Sequence, residues 1–96
     1  MGGLKILRPT EQSAESDFVN VYPNPVQPGI GEVLNILAST QVSLDIFTIT
    51  GARVRTGLEF SAYQTHTFDP GILAQGLYIF RFNAGEKTFV ERIVVR

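Results

Sequence analysis

A single histidine, His66, nine acidic residues and no cysteine are the stock from which this 96-residue chain could build a reaction site. His66 stands between Thr65 and Thr67, the residue types of a hydroxyl nucleophile beside its base. Adjacent side chains on an extended segment point to opposite faces, so neither threonine can reach the imidazole. His66 is therefore expected to be a structural or surface residue. General acid and base catalysis by carboxylates needs two of them across one reacting bond. Asp45, Glu59, Asp69 and Glu91 fall in separate runs, and each is expected on a solvated face. No stretch alternates acidic oxygens as a calcium loop does, and without cysteine there is no disulfide, zinc ribbon or thiol nucleophile. The expectation is a protein with no catalytic residue, no cofactor and no metal.

Binding chemistry is also thinly represented. Eight Lys and Arg against nine Asp and Glu leave a formal charge of -1, which gathers neither nucleic acid nor anionic lipid from a distance. Tryptophan, the ring best suited to stacking on sugars, is absent. Tyr22, Phe47, Phe60 and Tyr63 are the aromatics that could form a weaker platform, although their alternating spacing suits a core or cross-strand pairs. Arg53 and Arg55 form a small basic strip, read as a charged edge that resists strand-to-strand aggregation.

The elements that would position these residues are strands. With 44% hydrophobic residues, the composition is that of a folded domain, and the length allows one core only. The longest apolar run, Leu77 to Phe80, has four residues, far short of the about 20 that a spanning helix requires. Met1-Gly2-Gly3 is expected to be an expression remnant and residues 1–17 a linker, with the domain spanning 18–96. From Phe18 onward, short β-branched and aromatic runs alternate with Gly, Pro, Asn and Asp about every ten residues, which predicts an all-β, immunoglobulin-like antiparallel β-sandwich of about seven strands. A first strand, Phe18 to Tyr22, must stop at Pro23 and Pro25, which have no N–H to donate. Strands are predicted over 32–38, with Leu34, Ile36 and Ala38 inward, and over 42–49, with Val42, Leu44 and Ile46 inward. A two-residue Thr50-Gly51 connection then leads into 52–56, with Val54 inward. Residues 57–62 are ambiguous and 63–68 form the weakest strand. Leu73 is expected to drop into the core from a short loop over 72–75, for which one turn of 3₁₀ helix is the other reading. Residues 76–82 and 87–95 form a closing hairpin around Gly85.

Several of these segments, in order, resemble the C-terminal sorting domain carried by cargo of the type IX (Por) secretion system of Bacteroidetes. Val21-Tyr22-Pro23-Asn24-Pro25 resembles the family's opening motif. Leu44 to Val54, with its turn residue Gly51, resembles its hydrophobic strand and return strand. Leu73-Ala74-Gln75-Gly76-Leu77-Tyr78 is similar to its Leu-x-x-Gly-x-Tyr element. Glu91-Arg92-Ile93-Val94-Val95-Arg96 resembles its basic, apolar ending. Arg92 stands where the family often has Lys, and the Thr50-Gly51 turn is shorter than is common. The resemblance implies a folded export label that performs no reaction. Its partners would be an outer-membrane translocon and a sortase-like cysteine peptidase, with cleavage expected within or upstream of residues 10–17. It implies passage through the periplasm to the outer membrane, cell surface or medium. Tyr22, Pro23, Asn24, Pro25, Gly51, Gly76, Tyr78, Lys87, Arg92, Ile93, Val94, Val95 and Arg96 are the candidate recognition residues. The last strand, 87–96, is expected at a sheet edge, where unpaired backbone could add to a partner's sheet; the alternative is that Ile93 and Val95 simply close the core. Pro23-Asn24-Pro25 is either a receptor contact or a rigid strand terminator. Beside the sorting role stand a retained carbohydrate-binding or adhesive sandwich and an immunoglobulin-like spacer.

Overall fold

The computed structural model describes residues 17–96, so the remnant and linker expected over residues 1–17, apart from Asp17, lie outside the described residues. Alternation of apolar and polar residues produces the expected strands. These are β1 (Val19–Tyr22), β2 (Leu34–Ala38), β3 (Val42–Thr48), β4 (Arg53–Phe60), β5 (His66–Phe68), β6 (Gly76–Ala84) and β7 (Lys87–Val95). They form two antiparallel sheets, β1-β2-β5 and β4-β3-β6-β7. The seven strands divide between the sheets as in an immunoglobulin-like sandwich, here with β4 joined to β3. Among the described residues there is no helix long and apolar enough to cross a membrane.

Burial follows the period of two. Leu34, Ile36 and Ala38 face Val42, Leu44, Ile46, Phe80, Phe82, Ile93 and Val95 across the sandwich, all buried. Phe80 meets Phe68 of the other sheet edge to face, with ring centroids 6.1 Å apart. Phe80 and Phe82 are fully buried, and truncating either to Ala would cost about 3–5 kcal/mol through lost transfer energy and the cavity left behind.

The structure departs from expectation mainly around β4. The β3–β4 connection is a four-residue loop, Ile49 to Ala52, and not a two-residue Thr50-Gly51 turn. Thr48 closes it: its N–H donates to the Ala52 carbonyl at 2.8 Å and its hydroxyl accepts from the Ala52 N–H at 3.0 Å. Beyond it, β4 runs on through the ambiguous stretch to buried Phe60. Val54 does not point inward but is 37% exposed, because it is an extra residue between Arg53, opposite Phe47, and Arg55, opposite Ile46. Arg53 and Arg55 therefore do not share the single strip expected of them. The strand expected over 63–68 shrinks to its last three residues. A 3₁₀ turn forms at Pro70–Ile72, just ahead of the 72–75 stretch where one was the alternative, and it delivers Leu73 to the core as expected.

A second irregularity in β4 organises the outer face of its sheet. Thr56 and Gly57 together oppose Asp45, a bulge that needs a left-handed residue, and Gly57 supplies it at φ 73°. Asp45 is consequently not a solvated surface carboxylate; its side chain is 14% exposed. One oxygen accepts from the Thr56 hydroxyl at 2.8 Å and the Gly57 N–H at 3.0 Å. The other accepts from Arg81 and from the Asn83 amide, both at 3.2 Å. The Gly57 N–H first, then the Thr56 hydroxyl and the Arg81 guanidinium, hold the carboxyl well below its ordinary 3.8, at about 2.

Because the folded-state value is depressed, the stability Asp45 contributes is present above the unfolded-state value and is lost as pH falls from about 4 towards 2. Asp45→Asn is expected to lower stability at neutral pH by about 1–2 kcal/mol and to flatten the decline between about pH 4 and 2 in urea unfolding. Asp17, lowered by its hydrogen bond to Lys87, contributes to that decline in both proteins. A variant whose acid limb is as steep as the parent's contradicts the assignment.

Candidate functional site

The last strand lies at the edge of its sheet. Its odd-numbered residues exchange hydrogen bonds with β6 from Lys87 opposite Ala84 onward, which turns the N–H and C=O groups of Thr88, Val90, Arg92 and Val94 outward. Such a row is an open template unless something covers it.

The cover comes from the other end of the chain. Pro23 and Pro25 cannot extend the β1 ladder, and after Tyr22 the chain leaves β1 and crosses to β7. Both prolyl bonds are cis. Between the prolines, the Asn24 carboxamide imitates a peptide group: its Nδ2 donates to the Arg92 carbonyl at 2.7 Å, and its Oδ1 accepts from the Val94 N–H at 3.0 Å. Val26 continues the cover with its backbone, donating to the Val94 carbonyl and accepting from the Arg96 N–H, both at 2.9 Å. Val26 itself is fully buried and forms a short parallel bridge with Val95. Four successive outward groups, from the Arg92 carbonyl to the Arg96 N–H, are thus satisfied by Asn24 and Val26. The C-terminal part of β7 is closed to strand addition, contrary to the expectation of unpaired backbone there. Ile93 and Val95 face inward and close the core. Of the outward groups of β7, those of Thr88 and Val90 and the Arg92 N–H meet no partner among the described residues.

The clasp gathers many of the candidate recognition residues. Asn24 meets Arg92 and Val94 directly, Val26 meets Arg96, and register places Gly76 opposite Val95 and Tyr78 opposite Ile93. Gly76 has φ 155°, which L side chains rarely adopt, and this lets the chain swing from the Leu73 plug into β6. Tyr78 is buried, with its hydroxyl donating to the Ala74 carbonyl at 2.6 Å. Tyr22 is 46% exposed beside the clasp. Gly51 and Lys87 are not part of it: Gly51 sits in the β3–β4 loop, and Lys87 pairs with Asp17 at 3.0 Å at the opposite end of β7. Reading the sequence missed the Asn24 amide and Val26 as partners of the last strand. The available signal was an amide side chain flanked by two residues without N–H groups.

The other candidates scatter. Of the four aromatics of the imagined sugar platform, Phe60 is in the core, Tyr22 and Phe47 lie on different sheets, and Tyr63 projects from a loop, 71% exposed. His66 accepts from the Ser61 N–H through Nε2 at 3.2 Å and stands edge-on to Phe60, with centroids 5.1 Å apart. No cavity and no cluster of metal-ligating side chains occurs among the described residues.

Each net hydrogen bond contributes about 0.5–1.5 kcal/mol, so Asn24→Ala, which removes two, is expected to cost about 1–2 kcal/mol. For a domain of this size each kcal/mol lowers Tm by about 4–8 °C. Asn20→Ala, at an exposed residue of β1, should leave Tm nearly unchanged. Equal Tm values for the two variants would show that the Asn24 amide does not hold β7.

Residues 20–96 match the family model of the secretion system C-terminal sorting domain. No curated protein and no solved structure matches the chain. The family match spans both arms of the clasp, from the residue before Val21 to the last arginine. The chain belongs to the family of C-terminal sorting domains of the type IX secretion system, non-catalytic tails that mark a protein for export through the outer membrane.

Proposed function

We propose that residues 18–96 work as a folded address whose read surface is the clasped end of β7. The observation that carries this reading is the meeting of the Pro23-Asn24-Pro25 turn and the basic, apolar ending, separated by about 70 residues of sequence, in one hydrogen-bonded unit. An unfolded or truncated tail would not present that unit, so recognition tests that the label is folded and complete. The outer-membrane translocon reads Tyr22, Asn24, Arg92 and Arg96, the exposed or polar groups of the clasp. A sortase-like cysteine peptidase then cuts within or upstream of residues 10–17, releasing the cargo to the medium or joining it to the cell surface.

Spatial separation supports this division of labour. Asp17 is tied to Lys87 at the start of β7, while the clasp is centred on Val94 at its end, about 23 Å away along the strand. Cargo leaves from one end while the other is read. The domain performs no reaction itself; the chemistry belongs to the peptidase.

The test is a fluorescent reporter exported to the periplasm and followed by residues 1–96, in a bacterium that has the system. Fluorescence should reach the surface or medium, and should stay in the periplasm when the translocon is deleted. Asn24→Ala should lower export severalfold while the fusion remains folded. Retention of the folded parent fusion in the periplasm would overturn the reading, and undiminished export of the Asn24→Ala fusion would remove the clasp from it.

A further inference from the structure

Charge divides sharply between the sheets. β1, β2 and β5 contain no Lys, Arg, Asp or Glu. Arg53, Arg55, Arg81, Lys87 and Arg92 all belong to the four-stranded sheet, with Arg96 just beyond it. Among the described residues, only Arg81 and Lys87 of these meet a carboxylate.

On the outer face of that sheet, one register row runs Arg53, Phe47, Ile79, Arg92 across β4, β3, β6 and β7. Arg53 and Arg92 are exposed at its two ends, and Phe47 and Ile79 are half-buried between them. The Phe47 ring is flanked by two guanidiniums, Arg81 at 4.9 Å and Arg53 at 6.0 Å from its centroid. Stacking of this kind orients a guanidinium plane and reduces its hydration. Arg81 Nε is buried without a partner, while one guanidinium nitrogen of Arg81 holds Asp45. Val90, one row along on β7, adds an apolar side chain that is 57% exposed.

The geometry points to this row as a docking face for an extended acidic segment of a partner protein, with the pattern acidic-x-apolar-x-acidic. Three strand spacings separate Arg53 from Arg92, roughly 14 Å. In an extended peptide the side chains at i, i+2 and i+4 share a face and span about 13–14 Å. Carboxylates at i and i+4 therefore meet Arg53 and Arg92 while the apolar residue between them lies on Phe47 and Ile79. Discrete carboxylates fit better than a polyanion, because Asp45 stands one row along on the same face and Glu59 two rows along, and the chain carries net charge -1. Arg92 belongs to both this row and the surface proposed for the translocon, but peptide binding reads the one proposal and export the other, so either can fail alone.

The experiment is fluorescence anisotropy of labelled Gly-Ser-Glu-Leu-Val-Leu-Glu-Ser-Gly titrated with the 96-residue protein. The comparison peptides replace both Glu with Gln, or move the second Glu two positions closer to the first. The parent peptide should bind at least about tenfold tighter than either, a difference of about 1.4 kcal/mol. Its affinity should fall about tenfold when Arg53→Glu and Arg92→Glu are combined. It should also fall as salt rises from about 0.05 M to about 0.5 M, where the Debye length shortens to a few Å. Both arginines are exposed, so the variant should keep its Tm; if it does not, Arg53→Gln with Arg92→Gln replaces it and should show the same loss. Equal affinity for the Gln peptide, no loss in the folded double variant, or displacement of the peptide by a lower concentration of a heparin oligosaccharide would overturn the proposal.

Discussion

The peptide groups on the free side of β7 set the terms for the rest of this domain. The last strand must exist, because Ile93 and Val95 close the core, yet as an edge it exposes a row of donors and acceptors. The chain meets this requirement with a turn from its own beginning, in which a side-chain amide and one buried valine take the place of a neighbouring strand. First and last segments of the domain are thereby joined, and the C-terminal part of the β7 edge is closed where it would otherwise invite strand addition. Prolines on both sides of Asn24 suit this arrangement, since neither has an N–H that would need a partner of its own.

The two sheets have different roles. The uncharged three-stranded sheet contributes little besides its inner face, together with the prolyl turn that follows β1. The four-stranded sheet carries the ionised side chains, and Asp45 organises them by fixing the β4 bulge and holding Arg81 against Phe47. The same bulges expose Val54 and separate Arg53 from Arg55, so a small irregularity in one edge strand decides which arginines share a row. At the opposite end of β7, Asp17 links Ser39 to Lys87. Both ends of the last strand are therefore tied to residues from the start of the described chain.

Period-two alternation made the core of β2 and β3 legible, because every inward position there is apolar and local. The proline stop after Tyr22 and the final hairpin were equally readable from residue type. Asp45 was misjudged because its partners, Thr56 and Gly57 of β4 and Arg81 and Asn83 of β6, come from two other segments, and only strand register brings them together. The reach of Asn24 across about 70 residues was invisible for the same reason. β4 was divided wrongly since Gly57, which looks like a strand breaker, is here the left-handed residue of a bulge. The family motifs could be identified by order and spacing alone, but their joining into one unit is a tertiary fact.

Amide hydrogen exchange along β7, followed residue by residue by NMR, tests the central claim most directly. Thr88, Val90, Val94 and Arg96 all point their N–H groups away from β6, so without a cover they should exchange alike. With Asn24 and Val26 in place, the Val94 and Arg96 amides should exchange slowly, as core amides do, while those of Thr88 and Val90 exchange fast. Uniformly fast exchange across all four would mean that the beginning of the domain does not hold its end.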